Sequence, residues 1–151
     1  MIGVSSCLLG NHCTYNASHH LVKELSELYH QGKIVAVCPE VFGGLSIPRS
    51  PAEIISVNPL IIKNMENQDV TDAYINGAKK ALQLFLKNNV HVAVLKYRSP
   101  SCGCEGVYDG TFSHTLIEGQ GVFAKMCEEN HIKVFHENQL DEFLEYIRKE
   151  L

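Results

Sequence analysis

The order of apolar runs and helical repeats along the chain predicts an α/β protein. We expect a single three-layer domain over residues 1–151, with a mostly parallel sheet and helices on both faces. Short apolar runs of strand length alternate with longer segments in which apolar residues recur at helical spacing. Strands that alternate with helices pair in parallel, because the crossover helices cover the faces of the sheet. A chain of 151 residues is long enough to bury a sizeable core.

Four apolar runs predict the strands of this sheet, at residues 2–5, 34–37, 90–95 and 132–135. They are short and contain β-branched residues, as is typical of strands buried in a parallel sheet. A further apolar stretch at residues 60–63 predicts an edge strand or one arm of a hairpin. Asp109-Gly110, within residues 108–112, is a hairpin-turn signal.

Four segments have apolar residues at helical spacing, and they begin near residues 18, 71, 119 and 138. We predict Ser18, Thr71 and Asn138 as N-caps of three of these helices, because their side chains accept free N–H groups of a first turn. The first helix, to about residue 31, is predicted to bury Leu21, Leu25 and Leu28.

A long stretch rich in Gly and Pro, residues 38–58, separates the second predicted strand from the next helix. Loops of this length inside a compact domain are usually functional or disordered. This one is not poor in apolar residues, so we interpret it as an ordered loop of the site. Arg49 and Glu53 are predicted to form an ion pair that fixes it, with Arg49 also a donor toward an anion or carbonyl of a substrate.

Three of the six cysteines stand where a predicted strand ends: Cys7, Cys38 and Cys102. The ends of parallel strands meet at one edge of a sheet, so these thiols are expected to lie together. No C-x-x-C pair is present among them, which argues against a local zinc knuckle. Thiolates favour soft metals and hold iron–sulfur clusters, and three of them would leave one iron of a cubane open.

Burial in the core is the alternative for each cysteine, because free thiols pack as small hydrophobic groups. This alternative is favoured for Cys127, which lies on a helical stripe. Cys13 and Cys104 fall in predicted loops, and the sequence leaves their roles open.

Polar residues beside these cysteines suggest catalytic groups. Glu40 follows Cys38 by two residues, and a carboxylate beside a metal can act as a general base toward water. Ser99 and Ser101 flank Pro100, and either hydroxyl could orient a substrate. A carboxylate at the surface and serines that serve only the turn are the structural alternatives.

The overall charge excludes some classes of partner. A net charge of −4 provides no general attraction to nucleic acid or to anionic lipid. No apolar run approaches the roughly 20 residues that span a membrane. The N-terminus lacks the basic start of a signal peptide. We therefore expect a cytoplasmic protein. We also predict that it acts on a small-molecule substrate, as a monomer or homodimer.

Six sequence blocks, taken together, resemble one known family. They are VSSCLLG at 4–10, CPEVFGGLSIPRSPAE at 38–53, DVT at 69–71, KYRSPSCG at 96–103, YDGTF at 108–112 and GQGV at 119–122. The family is a widespread bacterial one, long labelled a domain of unknown function, that includes the thiouracil desulfidases. The resemblance covers essentially the whole chain. Residues 13–17 read CTYNA, where the family often has CRYDG.

This resemblance implies a 4Fe–4S cluster held by Cys7, Cys38 and Cys102. It also implies that Glu40 and Ser101 are catalytic, and we assign substrate binding to Ser99 and Arg49. The reaction would be non-redox removal of sulfur from a thiolated pyrimidine such as 2-thiouracil, with release of hydrosulfide.

Two alternatives are kept beside this hypothesis. One is a non-catalytic module that binds a metal or a small molecule, such as a zinc protein or a sulfur carrier. The other is a thiol enzyme with Cys102 as its nucleophile and no metal.

Overall fold

The computed structural model describes residues 1–150. The strands are β1 (Ile2–Ser5), β2 (Ile34–Val37), β3 (Ala52–Val57), β4 (Leu60–Asn64), β5 (Val92–Leu95), β6 (Val107–Tyr108), β7 (Leu116–Ile117) and β8 (Lys133–His136). The α-helices are α1 (Lys23–His30), α2 (Pro39–Phe42), α3 (Thr71–Lys87), α4 (Val122–Glu129) and α5 (Leu140–Glu150). Short 3-10 turns cover Ser6–Leu9 and Glu137–Gln139. Leu151, the last residue of the predicted domain, lies outside the described residues, and the assignment of the chain to one domain stays a prediction.

The central sheet has four strands in the order β2-β1-β5-β8, and every neighbouring pair is parallel. The chain leaves β1 toward β2 on one side and then crosses to β5 on the other side. All four strands therefore end at the same edge, and the loops that follow β1 and β5 diverge there. Ligands of open α/β sheets bind in the crevice that such a divergence creates. The predicted α/β class is confirmed.

The two faces of the sheet carry separate cores. Val92 and Val94 of β5 pack with Phe143 of α5 on one face, where Leu25 of α1 is also buried. Ala93 and Leu95 alternate with them and belong to the core beneath α3 and α4. There Phe85 and Phe123 pack with ring centroids 5.2 Å apart. Full burial of such a side chain stabilises the fold by about 1.5–3 kcal/mol, so the helices on both faces stabilise the sheet that carries this edge.

All three predicted N-caps are wrong. Helix α1 begins at Lys23, and Ser18 instead hydrogen-bonds Thr14 in the preceding loop. Leu21 lies outside the helix and is 54% exposed. Helix α3 begins at Thr71 itself, whose N–H is accepted by Asp69 Oδ1, while Thr71 Oγ1 accepts the N–H of Ile62.

The predicted cap at Asn138 is displaced to the residue where β8 ends. His136 Nδ1 accepts the N–H of Asn138 at 3.2 Å and so begins the 3-10 turn that leads into α5. A side-chain acceptor two residues earlier in the chain thus replaces the predicted one.

Residues 38–58 are less irregular than predicted. Helix α2 begins directly after Cys38, and β3 forms an antiparallel hairpin with β4, which confirms the strand predicted at residues 60–63. A hairpin also forms around Asp109-Gly110, but its strands β6 and β7 are joined by the longer connection 109–115. No helix among residues 1–150 is both long and apolar enough to cross a bilayer.

Candidate active site

A cavity of about 660 Å³ opens at the edge of the sheet where β1, β2 and β5 end. Cys7, Cys38 and Cys102 all line it, as the sequence predicted. Cys7 lies in the 3-10 turn after β1, Cys38 directly precedes α2, and Cys102 lies in the turn after β5. None of the three is in a disulfide. Three loops that are distant in sequence thus bring three free thiols to one space.

A fourth thiol, Cys13, lines the same cavity, and sequence reasoning left its role open. The thiols of Cys7 and Cys38 both influence the pKa of its side chain. Its carbonyl oxygen lies 3.8 Å from Cys38 Sγ and accepts a hydrogen bond from Arg49 Nη2 at 2.9 Å. Cys13 therefore belongs to the thiol group, whereas Cys104 and Cys127 are buried in the core beneath α3 and α4. That position confirms the core assignment of Cys127.

Glu40 lies at the centre of the polar side of the cavity. Its Oε1 accepts Arg49 Nε at 3.1 Å and the hydroxyl of Tyr74 at 2.9 Å. Its Oε2 accepts Ser101 Oγ at 2.8 Å and Ser99 Oγ at 3.2 Å. The two carboxylate oxygens therefore face different groups: Oε1 faces its structural supports, and Oε2 faces the serines beside Cys102.

The predicted ion pair between Arg49 and Glu53 is wrong. Arg49 Nη2 instead lies 3.0 Å from Glu40 Oε1, and the two side chains are only 8% and 13% exposed. The remaining donors of Arg49 bond the carbonyl oxygens of Ser46 and Cys13. Because all three guanidinium nitrogens contact protein acceptors, the geometry favours a role in holding Glu40. Substrate binding by Arg49 stays a prediction.

Ser99 and Ser101 have different surroundings. Ser99 Oγ accepts the backbone N–H groups of Ser101 and Cys102, both at 3.1 Å, and so fixes the turn after β5. Ser101 Oγ lies between Glu40 Oε2 and Cys102 Sγ, 3.7 Å from the sulfur. Ser101 is thus the group that joins the carboxylate to the thiols. The assignment of Ser99 to substrate contact stays a prediction.

Comparison with known proteins identifies the family to which this chain belongs. The family model described as 2-thiouracil desulfurase matches residues 2–139. The chain belongs to the 2-thiouracil desulfurase family. Its fold resembles a solved structure of the 4Fe-4S-dependent thiouracil desulfidase TudS, with a TM-score of 0.91 and 36% identity over 97% of each chain. It is also 40% identical to the uncharacterized protein YbbK of Bacillus subtilis (strain 168), over 95% of this chain and all of that one.

Three thiols of this desulfurase-family cavity, those of Cys13, Cys38 and Cys102, have raised pKa values that favour the neutral form. Burial raises the pKa of Cys102 to about 12. Contact with Cys13, followed by burial, raises the pKa of Cys38 far above its ordinary value. For Cys13, contact with Cys38 favours the thiolate, but contact with Cys7 and burial outweigh it and raise the pKa to about 11. Thiolates would therefore form here only beside a compensating positive charge, such as that of a bound metal.

The outer wall of the cavity contains residues that sequence reasoning did not assign to the site. Tyr15, Tyr108, Phe112 and His114 line it, and so does the buried carboxylate of Glu53. The aromatic residues at 108, 112 and 114 fall around the Asp109-Gly110 turn signal, which we interpreted only as a hairpin. Their spacing around this turn was the one sign in the sequence that it presents flat side chains to the cavity.

Proposed function

We propose that this chain removes sulfur from a thiolated pyrimidine such as 2-thiouracil, in a non-redox reaction that depends on a 4Fe–4S cluster and releases hydrosulfide. The observation that carries the proposal is a single cavity into which three strand-end cysteines and the hydrogen-bonded pair Glu40–Ser101 converge. Membership of the 2-thiouracil desulfurase family and the likeness to TudS support the same reaction.

Cys7, Cys38 and Cys102 would hold the cluster, and the donor set fits it. All are free thiols on three separate loops, which suits a group wider than one metal ion. Among residues 1–150, no three His, Cys, Asp or Glu side chains are grouped closely enough to hold a single ion. Zinc requires four ligands at about 2.0–2.3 Å, whereas three cysteines on separate loops suit a cubane cluster with one open iron.

When bound through three cysteines, the cluster would supply one iron free of protein ligands, a Lewis acid suited to the soft sulfur of a thiolated base. The protein then has to direct a water at the ring carbon and remove its proton. Glu40 Oε2 is the oxygen placed for this, since Oε1 is occupied by Arg49 and Tyr74. Glu40 is therefore proposed as the general base.

Ser101 is proposed to transfer or hold that proton. Its hydroxyl donates to Glu40 Oε2 and lies beside Cys102 Sγ, so it spans the distance between base and cluster ligand. Ser99, which caps the N–H groups of the turn, keeps Ser101 in this orientation.

The atoms balance without any electron donor. A carbon–oxygen bond forms from water, and the carbon–sulfur bond breaks. One proton of the water leaves with the sulfur as hydrosulfide, and the other passes through Glu40 to solvent. A uracil ring with a carbonyl oxygen in place of sulfur is the second product.

Anaerobic reconstitution with iron and sulfide, followed by incubation with 2-thiouracil, tests the proposal. We expect a brown protein with about four irons per chain and hydrosulfide equal in amount to the uracil formed. A loaded cluster without sulfide release would favour the binding module instead. Loss of activity on alkylation of Cys102, with Cys7 and Cys38 dispensable, would favour the thiol enzyme.

A further inference from the structure

Glu53 is the second buried carboxylate in the cavity wall, and the proposed chemistry does not use it. It lies on β3, is only 8% exposed and lines the cavity together with Glu40. Its Oε1 accepts the backbone N–H of Gly110 at 2.9 Å and that of Phe112 at 3.3 Å. One oxygen of Glu53 therefore anchors the connection between β6 and β7.

The other oxygen, Oε2, has no hydrogen-bond partner among residues 1–150. No cation in this part of the chain forms an ion pair with Glu53, although Lys63 lies opposite it in the β3–β4 ladder. Every fully buried side-chain oxygen and nitrogen of these residues has a partner, so Oε2 is not sealed from solvent. A carboxylate removed from most of its water requires a donor, and the cavity is where a donor can arrive.

The anchored loop fixes this oxygen relative to flat side chains. Gly110 has φ +93°, and a Cβ there would lie 2.7 Å from the carbonyl oxygen of Ile54, so the loop packs directly on β3. Tyr108 and Phe112, on either side of Gly110, line the same cavity as Glu53. A planar ring that packs on these aromatic groups would direct its edge toward the part of the cavity lining that contains Glu53.

We infer that Glu53 is a specificity-determining residue, whose Oε2 accepts a hydrogen bond from a ring N–H of the substrate. The inference rests on the proposed function, since a thiolated pyrimidine such as 2-thiouracil has N–H groups beside its carbon–sulfur bond. An ionised carboxylate accepts hydrogen bonds and donates none. The site would therefore select rings with a free N–H and reject those with an alkyl group on that nitrogen.

The variant Glu53→Gln separates this role from the anchoring of the loop. The N–H groups of Gly110 and Phe112 need an acceptor, so the amide oxygen takes the place of Oε1. The amide NH2 then takes the place of Oε2 and presents a donor to the cavity. The loop keeps its anchor, while the group facing the ring changes from acceptor to donor.

Binding of uracil, 1-methyluracil and 3-methyluracil to the cluster-loaded protein, measured by calorimetry, tests the inference. A hydrogen bond to a charged group contributes about 1.5–3 kcal/mol, so we expect one methylated ring to bind the native protein at least about tenfold more weakly than uracil. Glu53→Gln should bind uracil as weakly as the native protein binds that methylated ring. In the variant, the methyl group should cause no further loss.

Three results would overturn the inference. One is no uracil binding by the native protein, and another is equal binding of all three rings by it. The third is a methyl group that weakens binding to Glu53→Gln by the same factor as it weakens binding to the native protein. The matched control is Glu66→Gln, at an exposed residue after β4, which should bind all three rings as the native protein does. Uracil contains no sulfur, so its binding reports on Glu53 independently of turnover. Sulfide release with no N–H selectivity would reject Glu53 alone, and selectivity without sulfide release would reject the reaction alone.

Discussion

Arg49 holds Glu40 through two nitrogens that converge on one carboxylate oxygen. Nε and Nη2 lie 3.1 and 3.0 Å from Glu40 Oε1. This contact occupies Oε1 and leaves Oε2 to Ser99 and Ser101. The ion pair therefore decides which oxygen of the proposed base is available, and it joins the loop after α2 to the polar side of the cavity.

Replacement of Arg49 should lower turnover without loss of the cluster. Arg49→Lys keeps the charge but cannot make two contacts to Oε1, so we expect kcat to fall with little change in KM. Arg49→Ala leaves Glu40 without its cation and should also destabilise the fold, by about 3–5 kcal/mol. Steady-state kinetics and urea unfolding measure the two effects. Native kcat in the lysine variant would contradict a positioning role.

Replacement of the proposed base should separate chemistry from cluster binding. Glu40→Gln keeps the shape of the side chain but cannot take a proton from water. We expect turnover to fall by about 10²–10⁴-fold, the usual contribution of general acid–base catalysis, while the visible absorbance of the cluster is unchanged. Glu66→Gln should retain full activity. A variant at Glu40 with near-native turnover would reject this residue as the base.

The cysteines should divide into two groups when changed singly to serine. Cys7→Ser, Cys38→Ser and Cys102→Ser should each lose the cluster, because each removes one proposed ligand. Cys127→Ser should keep it, since this thiol lies in the core beneath α3 and α4. Iron counts and absorbance after anaerobic reconstitution distinguish the groups. Retention of four irons after loss of any one of the three would mean that another residue is a ligand, and Cys13 is the fourth thiol that lines the cavity.

Gly77 should be essential for the position of Glu40, although the two residues are far apart in sequence. A Cβ at Gly77 would lie 1.8 Å from the carbonyl oxygen of Pro39, so only glycine lets α3 contact α2. Gly77→Ala should displace α2 and cost about 1–3 kcal/mol of stability, as overpacking usually does, with loss of turnover. The exposed Lys79→Ala on the same helix is the control. Unchanged unfolding and turnover in Gly77→Ala would contradict this packing.

Asp69 should contribute stability that depends on pH. The hydroxyl and the N–H of Thr71 lower the pKa of Asp69 below its ordinary 3.8. A carboxyl group with a lowered pKa in the fold stabilises it above the unfolded-state pKa, near 3.9, and this contribution disappears as the pH falls further. Asp69→Asn should therefore be less stable than the native protein at pH 7, and the difference should shrink toward pH 3. Urea midpoints at both values test this, and a constant difference would contradict it.

Much of the site could be predicted because strand ends are visible in sequence. Cys7, Cys38 and Cys102 each follow an apolar run, and parallel strands end at a common edge. Nothing comparable marked Cys13, which follows no strand and joins the group only because its loop folds back beside Cys38. The N-caps failed for a related reason. Helix α1 begins at Lys23 without a side-chain cap, and α3 begins where Asp69 accepts the N–H of Thr71, so the residues predicted as caps fixed neither start.

The sequence by itself determined the class of fold, the edge of the sheet at which the site lies, and the cysteines, carboxylate and serines that meet there. Periodicity and the order of strands and helices along the chain suffice for the fold class and the sheet edge, and the family resemblance singled out Glu40 and Ser101. Only the tertiary structure decided which side chains contact each other. Arg49 is near Glu53 in sequence but pairs with Glu40 from α2, and Glu53 turns to Gly110, more than fifty residues away. Such pairings depend on how the loops pack across the sheet edge, which no local pattern records.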